Sequence, residues 1–562
     1  MKTRICICIL TGVLFAIHSS WASSHERIIK ERAYLQTDKN TYLAGELLWT
    51  KMYITDPEGI PVSFSKTGYI EVLDTQSAVL QAKIDLTDGT GEGCLEIPAT
   101  LPTGYYRLVA YTRNMRNEGE EIYFNKLINV INTFKTDEEI AVVNDTILQD
   151  NSFRIPENTI MVSPEKQIFH VRSAGKIELQ GLPENIHSMA ISIAGKDLII
   201  PEGTTHINHW KQQLGSLPVT TYSGKYVPEY EGHIVSGKAI NLQDGTSSIP
   251  EKITPLLGFV GDQLRIFGGH CNENGEVTFV TKRIGGMPEL VTTALSPSNN
   301  RYRIDIESPY STHSEKELPG VQLNEAWKEQ LLQRSVGLQV LYSYMADSLS
   351  QMEKTDSYFQ WQPDWSYLLD EYTRFTTMEE VVIEFVIGLR FRRINNKRIL
   401  SVLTEDRTGF TIGNSLVLLD GIPITDHELI FNYNPLLIRQ IEVYKGKFVF
   451  GGQLVDGIAS FKTYNLDYPG LTLDNSTQFF DYEGTLAKRT FHAPSYPGNH
   501  PGNRIPDYRH TLLWQPEVQT GGQRTVSIPF TTSDIQGNFN VVVEGMTKDG
   551  KPIYGMASFE VN

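Results

Sequence analysis

The fold of this chain is decided by the stretch from Leu416 to Thr463, which opens with LVLLDGIP (416–423). It continues as IRQIEVYKG (438–446) and FGG (450–452), and it closes with GIASFKT (457–463). The Asp-Gly pair suits a tight turn because glycine accepts positive φ. Apolar and polar residues roughly alternate in the second run, as they do in a half-buried strand. The stretch therefore predicts three short strands separated by sharp glycine turns.

A helix signal precedes these strands. Thr377 and Glu380 form a capping box, in which the threonine oxygen accepts from the backbone and the glutamate reaches back to it. The box predicts a helix over 378–387 that ends at Gly388, followed by a strand over 389–393.

Four motifs in this order resemble the plug domain of TonB-dependent outer-membrane receptors. That family carries a V-L-I-D-G-V-P turn, an I-E-x-I-E-V-x-x-G strand, a Y-G turn and a G-x-I-x-I-x-T strand. Here the corresponding segments are 418–423, 438–446, 450–451 and 457–463. The resemblance implies a small α+β plug-like domain over 376–463.

Eight residues in and after this domain are candidates for contact with a partner or a ligand. Five lie in the turns and strands of the plug-like motifs, and three are aromatic side chains further on that could stack on a sugar. They are Asp420, Gly421, Glu442, Lys445, Gly451, Phe479, Phe480 and Tyr482.

A receptor of that family also needs a transmembrane barrel of about 22 strands, each of about 10 residues. Only residues 464–562 follow the plug-like stretch, which is too few for such a barrel. We therefore expect a plug-like domain without its own barrel, and no channel activity from this chain alone.

Composition describes an ordinary globular protein of several domains. The chain has 562 residues, of which 40% are hydrophobic and 21% are charged. The net charge of −16 argues against nucleic acid as a partner. Lys and Arg do not run in blocks, so an anionic membrane surface is not expected either.

The N-terminus has the pattern of a secretion signal. Lys2 and Arg4 precede an apolar run over 5–17, and small residues surround position 22. The pattern predicts a signal peptide over 1–22 and an exported protein with no other segment apolar enough to cross a bilayer. Cleavage removes two of the four cysteines. The other two, Cys94 and Cys271, are expected to be free thiols, with a single bridge as the alternative.

The rest of the chain reads as β-sandwiches. Residues 27–135 carry TDKNTYLAGE (37–46) and LPTGYY (101–106), which resemble the T-D-K-x-x-Y-x-x-G-E and L-P-x-G-x-Y signatures of macroglobulin-like domains in the alpha-macroglobulin family. Tyr42, Trp49 and Tyr106 are interpreted as core residues, with ligand contact as the alternative.

Three further β units are predicted. A second sandwich is expected over 136–217, and residues 229–310 resemble a carboxypeptidase-regulatory-like sandwich. Residues 504–562 contain a W-x-P motif at Trp514 and resemble a C-terminal macroglobulin-like domain. The predicted class is thus mainly β: tandem macroglobulin- or Ig-like sandwiches, a small α+β plug-like domain and one long helix.

The long helix is predicted over 324–353, where apolar residues recur at steps of three and four. Two interpretations are open: a helix packed on a neighbouring sandwich, which we favour, and a helix that binds a partner.

Two groups of residues raise the question of a metal. The first is His233, His270 and Cys271, whose spacing fits no known ligand pattern. The second lies in or near a Pro/Gly-rich linker, which is a poor scaffold for a metal site. Its members are His492, His500, Asp507 and His510. Ordinary core or surface roles are favoured for both groups, and no cofactor is expected.

No catalytic motif was found, because the chain lacks His-Glu-x-x-His, Gly-x-Ser-x-Gly and a phosphate-binding loop. We therefore expect a non-enzymatic binding or scaffold protein of a Gram-negative cell envelope, of a type seen in Bacteroidetes. It would lie in the periplasm or on the outer membrane, where its plug-like domain contacts an outer-membrane partner in TonB-dependent nutrient uptake. The alternatives are an alpha-macroglobulin-like protease inhibitor, although neither Cys94 nor Cys271 begins a Cys-x-Glu-Gln thioester motif, and direct ligand binding.

Overall fold

The computed structural model describes residues 28–135, 141–143, 157–197, 205–298, 300–352, 361–403, 409–410, 415–496 and 505–562. The predicted signal peptide (1–22) lies outside the described residues. Strands dominate the described part, so the predicted mainly-β class is confirmed.

The described residues of the N-terminal half form mainly strands, with one short α-helix. The first eight strands are β1 (Arg32–Thr37), β2 (Thr41–Leu43), β3 (Leu47–Thr55), β4 (Thr67–Leu73), β5 (Ala78–Asp85), β6 (Thr90–Glu96), β7 (Gly104–Thr112) and β8 (Phe124–Ile131). The following elements are β9 (Ala141–Val143), β10 (Met161–Pro164), β11 (Ile168–Phe169), β12 (Ala174–Gln180), β13 (Ile186–Gly195), α1 (Ile207–Gln213), β14 (Ile234–Asn241), β15 (Thr254–Phe259), β16 (Ile266–Gly268), β17 (His270–Cys271), β18 (Glu276–Val280), β19 (Glu289–Leu295) and β20 (Tyr302–Ile306).

The C-terminal half contains the other α-helices. Its first elements are β21 (Gln322–Asn324), α2 (Lys328–Leu349), β22 (Ser350–Met352), β23 (Trp365–Leu368), α3 (Met378–Glu384), β24 (Leu389–Ile394), β25 (Lys397–Val402), β26 (Leu416–Leu419), β27 (Ile422–Pro423), α4 (Glu428–Phe431), β28 (Ile438–Phe450) and β29 (Gln453–Thr463). The last strands are β30 (Gln478–Asp481), β31 (Arg489–Phe491), β32 (Thr511–Gln515), β33 (Thr525–Thr531), β34 (Gly537–Thr547) and β35 (Pro552–Val561).

The first sandwich (residues 28–134) has the architecture that its sequence predicts. A three-stranded sheet, β1-β3-β6, packs on a five-stranded sheet, β2-β8-β7-β4-β5. Tyr42, Trp49 and Tyr106 are all buried, which confirms their predicted packing role. Cys94 is buried and free, and Cys271, in the third sandwich, is half-buried and free.

The second sandwich combines two segments that we predicted as separate domains. Strands from 157–197 and from 505–562 interleave in the sheets β10-β12-β33 and β11-β35-β34-β13-β32. Ile177 lies opposite Ile528, and Leu179 lies opposite Val526. The units predicted over 136–217 and 504–562 are therefore two halves of one domain. Each half has apolar residues on its strands but lacks the strands that would cover them, so the two halves bury each other.

The third sandwich (233–306 and 478–482) also takes a strand from far along the chain. Its sheets are β17-β18-β14-β20 and β16-β15-β19-β30. Strand β30 pairs with β19, with Phe480 opposite Leu290 and Phe479 opposite Val291. The predicted boundary of 229–310 therefore leaves out the last strand of this domain.

The α+β domain (361–473) lies between β20 and β30 in sequence. Its sheet has the order β23-β28-β29-β26-β27, and β24 and β25 form a separate hairpin. The three strands predicted in 416–463 are present, and both residues of the Asp420-Gly421 turn have positive φ, of 50° and 85°. The capping box of Thr377 and Glu380 is also present, although α3 ends at Glu384, before the predicted 387.

The long helix packs on the first sandwich. The predicted helix over 324–353 is α2, which packs Leu331 and Leu338 against Leu43 and Ile131 of the first sandwich. This packing confirms the favoured interpretation. Leu332 and other apolar side chains on the opposite side of α2 are exposed.

Candidate functional site

The Asp420-Gly421 turn holds the α+β domain together. The Asp420 carboxylate accepts hydrogen bonds from the backbone N–H and hydroxyl of Thr463, both at 2.7 Å, and from the N–H of Tyr468 at 2.9 Å. The side chain is fully buried, and its backbone oxygen accepts from the N–H of Gly261 in the third sandwich at 2.9 Å. Asp420 therefore serves an internal contact in this structure.

Two predicted glycines lie where the α+β domain touches the third sandwich. A Cβ atom on Gly421 would overlap the backbone oxygen of Phe259, and one on Gly451 would overlap the backbone oxygen of Gly269. Only glycine permits this close backbone approach at positive φ. Both residues thus contact a neighbouring domain of the same chain.

The two predicted charged residues have internal partners. The Glu442 carboxylate lies 2.9 Å from the Lys462 ammonium and accepts from the Tyr444 hydroxyl at 2.7 Å. Burial, and then this carboxylate, raise the pKa of Tyr444 above its ordinary range. Lys445 lies 3.2 Å from Asp364. That any of these five residues contacts an external partner stays a prediction.

The three predicted aromatic residues lie on or beside β30. Phe480 and Tyr482 pack into the core of the third sandwich, whereas Phe479 is 36% exposed. Phe479 stacks on Tyr468, with ring centroids 5.4 Å apart. All three line a groove of about 460 Å³ between the first and third sandwiches, together with residues of β5, of β20 and of the segment after β20.

Beneath this groove lies a buried chain of polar groups. Glu229 contacts His233 Nδ1 at 2.8 Å, and His233 Nε2 makes a hydrogen bond with the Tyr482 hydroxyl. Burial lowers the pKa of His233, despite the opposing effect of Glu229. This histidine, one of the residues considered for a metal, is thus a hydrogen-bonded core residue.

Lys83 lies next to that chain. Its Nζ is 4.1 Å from the centre of the Tyr482 ring and 5.5 Å from that of Tyr310, and it has no hydrogen-bond partner in the described structure. Burial lowers the pKa of Lys83 to about 8, with Glu483 and Glu229 opposing the shift. Such a lysine is held by ring faces and by the field of nearby carboxylates.

The second group considered for a metal is dispersed. His510 is half-buried and packs against Gly195, and desolvation keeps its pKa well below the ordinary value. Asp507 forms a buried ion pair with Arg509 at 2.8 Å, and His500 lies outside the described residues. Within the described ranges, no three His, Cys, Asp or Glu side chains are grouped as metal ligands would be.

The macroglobulin-like signature at 37–46 builds a junction of three elements. Asp38 accepts from the Thr511 hydroxyl of the second sandwich at 2.7 Å. Glu46 receives two hydrogen bonds from Arg334 of α2, at 2.8 and 2.7 Å. Burial raises the pKa of Glu46, but Arg334 and Lys39 outweigh it and hold the value at about 2. The signature residues are thus explained by domain docking.

A surface that the sequence analysis missed lies on the β24–β25 hairpin. The hairpin carries five basic residues in nine positions, so the statement that Lys and Arg do not run in blocks is wrong for this segment. They are Arg390, Arg392, Arg393, Lys397 and Arg398. Next to the hairpin, at the end of α3 and just after it, Ile383 and Ile387 are 66% and 72% exposed. A local count of charge would have found the hairpin.

The comparisons with known proteins give distant structural likenesses. The structure of Escherichia coli alpha-2-macroglobulin activated by porcine elastase is 8% identical, with a TM-score of 0.24, and the match covers 95% of this chain and 44% of that one. A Salmonella alpha-2-macroglobulin reacted with methylamine is 9% identical, with a TM-score of 0.23, over 95% of this chain and 39% of that one. An Escherichia coli adhesin, FdeC, is 10% identical, with a TM-score of 0.14, over 48% and 60%.

This chain spans less than half the length of those macroglobulins. Neither a family model nor a curated protein matches the sequence. Among the described residues, no helix is long and apolar enough to cross a membrane.

Proposed function

We propose that this protein is a non-enzymatic binding and scaffold protein of a Gram-negative cell envelope, and that its α+β domain contacts an outer-membrane protein. TonB-dependent nutrient uptake is the proposed context. The sandwiches position the domain, and the basic hairpin with its neighbouring isoleucines forms the contact surface. We call this set of residues, 383–398, the hairpin surface.

The observation that carries the proposal is the exposed combination of charge and apolar side chains on this surface. Exposed apolar side chains rimmed by polar residues are typical of protein-binding sites, and arginine is enriched in them. Arg398 is neutralised by Glu379 and Glu428, at 2.9 and 2.6 Å, and Lys397 by Asp426 at 2.7 Å. Arg392 forms no ion pair within the described residues and is exposed.

The way in which the α+β domain packs leaves the hairpin surface exposed. Leu416 and Leu418 of β26 belong to the apolar cluster that packs against Leu256 of the third sandwich. Val417 and Leu419 point to the other face of the sheet, where they pack with Val381 and other residues of α3. Helix α3 and the hairpin next to it therefore lie on the face of the sheet opposite to the one that packs against Leu256.

Site-specific photocrosslinking in cells tests the proposal. A photoreactive amino acid at Arg392 or Ile387 should give a crosslink to an outer-membrane protein, identified by mass spectrometry. The same amino acid at the exposed Val219, in the linker after α1, is the matched control and should give none. Crosslinks from Val219 alone, or none from the hairpin surface in membrane-containing cells, would contradict the proposal.

A second candidate is a protease inhibitor of the alpha-macroglobulin type, which rests on the resemblance of residues 37–46 and 101–106 to the signatures of macroglobulin-like domains. Covalent trapping through a thioester needs a glutamine three residues after the cysteine, whereas Ile97 follows Cys94 at that spacing and Asn274 follows Cys271. Inhibition by this chain would thus be non-covalent.

Incubation with elastase and with trypsin separates the two candidates. A trapping inhibitor would block hydrolysis of a large protein substrate while it leaves a small peptide substrate accessible. We expect that the protein changes the activity of neither protease, on the large substrate or on the small one. Selective loss of the large-substrate activity would favour the inhibitor.

A further inference from the structure

Three β-sheets end at the groove between the first and third sandwiches. Strands β5, β20 and β30 are each terminal in their sheets. The outer side of β5 is bridged at Lys83 by Thr485, whereas no described strand pairs with the outer side of β20 or β30. An unpaired strand edge presents N–H and C=O groups that another strand can satisfy.

The floor of the groove is fixed before any ligand arrives. Tyr310 donates a hydrogen bond to Glu483 at 3.0 Å, and the Tyr482 hydroxyl is engaged by His233. Lys83, only 1% exposed, lies between the two tyrosine rings. A pre-formed floor lowers the ordering cost of binding.

The aromatic residues do not form a platform for a sugar. Phe480 and Tyr482 are committed to the core of the third sandwich, which leaves Phe479. Phe479 stacks against Tyr468 at an interplanar angle of 15°, so one of its faces is already covered. The outer backbone edge of β30, with which no described strand pairs, is therefore the larger binding surface that the groove offers.

The charges around the groove are mostly negative. Glu307 and Asp481 are exposed on its rim, and neither forms an ion pair in the described structure. Asp305 is neutralised by Arg303 at 2.8 Å, and Lys83 is buried below the rim. The field at the mouth therefore favours a cationic side chain.

We propose that this groove binds an extended peptide segment with a lysine or arginine side chain, which adds as a strand to the outer edge of β30. Main-chain hydrogen bonds to β30 supply affinity in such binding, and side-chain contacts supply selectivity. The four residues of β30 span about 13 Å, and the volume of about 460 Å³ lies within the usual range of ligand sites. This site is separate from the hairpin surface.

The test uses the full mature chain and fluorescent pentapeptides of sequence Val-Lys-Val-Lys-Val. A second peptide has the same side chains but N-methyl groups on alternate amides, which block strand pairing, and a third has glutamate in place of lysine. Fluorescence anisotropy should show saturable binding of the first peptide only.

Charge-reversal variants test whether the peptide binds at the groove. The double variant Glu307→Lys/Asp481→Lys should weaken binding about fivefold or more, because it replaces two negative carboxylates on the rim with positive ammonium groups. Glu184→Lys, an exposed carboxylate in the second sandwich, is the matched control and should leave binding unchanged. Circular dichroism of each variant confirms that it folds.

Three outcomes would overturn the proposal. These are the absence of binding by the first peptide, equal binding by the N-methylated peptide, and binding that the Glu307→Lys/Asp481→Lys variant does not change. Binding of a glycan from an array, with no binding of any of the peptides, would assign the site to a sugar instead.

Discussion

At the scale of single residues, buried polar groups explain much of what the sequence signatures show. Asp38, Glu46 and Asp420 each accept hydrogen bonds from a different element or domain. The sequence motifs that contain them are therefore explained by contacts between elements and domains. The turn at Asp420 and the capping box at Thr377 were predictable because both depend on residues close in sequence. The hydrogen bonds of Asp420 with Thr463 and Tyr468 were not predictable, since no nearby residue in the sequence indicates them.

The Glu46–Arg334 pair gives a prediction on pH dependence. The folded pKa of Glu46 is about 2, below its ordinary value of 4.5, because Arg334 and Lys39 outweigh the effect of burial. A lowered pKa stabilises the fold fully above about pH 4.5, and the stabilisation is lost as the pH falls through about 2. We expect Glu46→Gln to cost about 3–5 kcal/mol of unfolding free energy at pH 6, and about half as much at pH 3.

Denaturant titrations at the two pH values measure this difference. Glu325→Gln is the control, because Glu325 forms an exposed pair with Lys328 at 3.2 Å and should cost at most about 1 kcal/mol. A cost of Glu46→Gln that stays constant from pH 6 to pH 3 would show that its charge does not act as described.

At the scale of elements, strand ends and glycines attach the α+β domain to the third sandwich. The strands of 416–463 followed from alternation and turn chemistry, which are local. The attachment of these strands to the third sandwich could not be predicted, because a glycine that permits close backbone approach looks the same in sequence as one that only permits a turn. The separation of these two roles needs the neighbouring backbone.

Two glycines with positive φ allow that separation by experiment. Gly446 has φ of 105° and open space around its Cβ position, whereas a Cβ on Gly421, with φ of 85°, would overlap Phe259. We expect Gly446→Ala to cost about 1–2 kcal/mol through its backbone conformation alone. Gly421→Ala should cost about 1–3 kcal/mol more through overpacking.

Thermal unfolding and limited proteolysis report the result. Gly421→Ala should also expose the connection at 471–477 to protease, because the two domains separate, and Gly446→Ala should not. Equal costs and equal cleavage in both variants would mean that the contact at Phe259 adds nothing to the docking of the domains.

At the scale of the whole molecule, the chain returns to domains that it has already started. The third sandwich is completed by β30 after the α+β domain, and the second by β32–β35 at the end of the described chain. Local patterns predicted β structure in both halves of the second sandwich, but they did not predict strand β30 of the third. They could not pair β12 with β33, because alternation shows that a strand has an apolar face but not which distant strand covers it.

This topology predicts that the second sandwich folds only when both of its segments are present. Strand β12 is covered on one side by β33 over seven residue pairs, and β13 lies between β34 and β32. A chain that ends at residue 496 would expose the inner faces of β12 and β13, so it should bind a hydrophobic dye and aggregate. The segment 505–562 alone should lack cooperative unfolding, since its strands bury their apolar residues against 157–197. Co-expression of the two pieces should restore an equimolar complex on size-exclusion chromatography, and independent folding of 505–562 would instead mean that each half is a domain of its own.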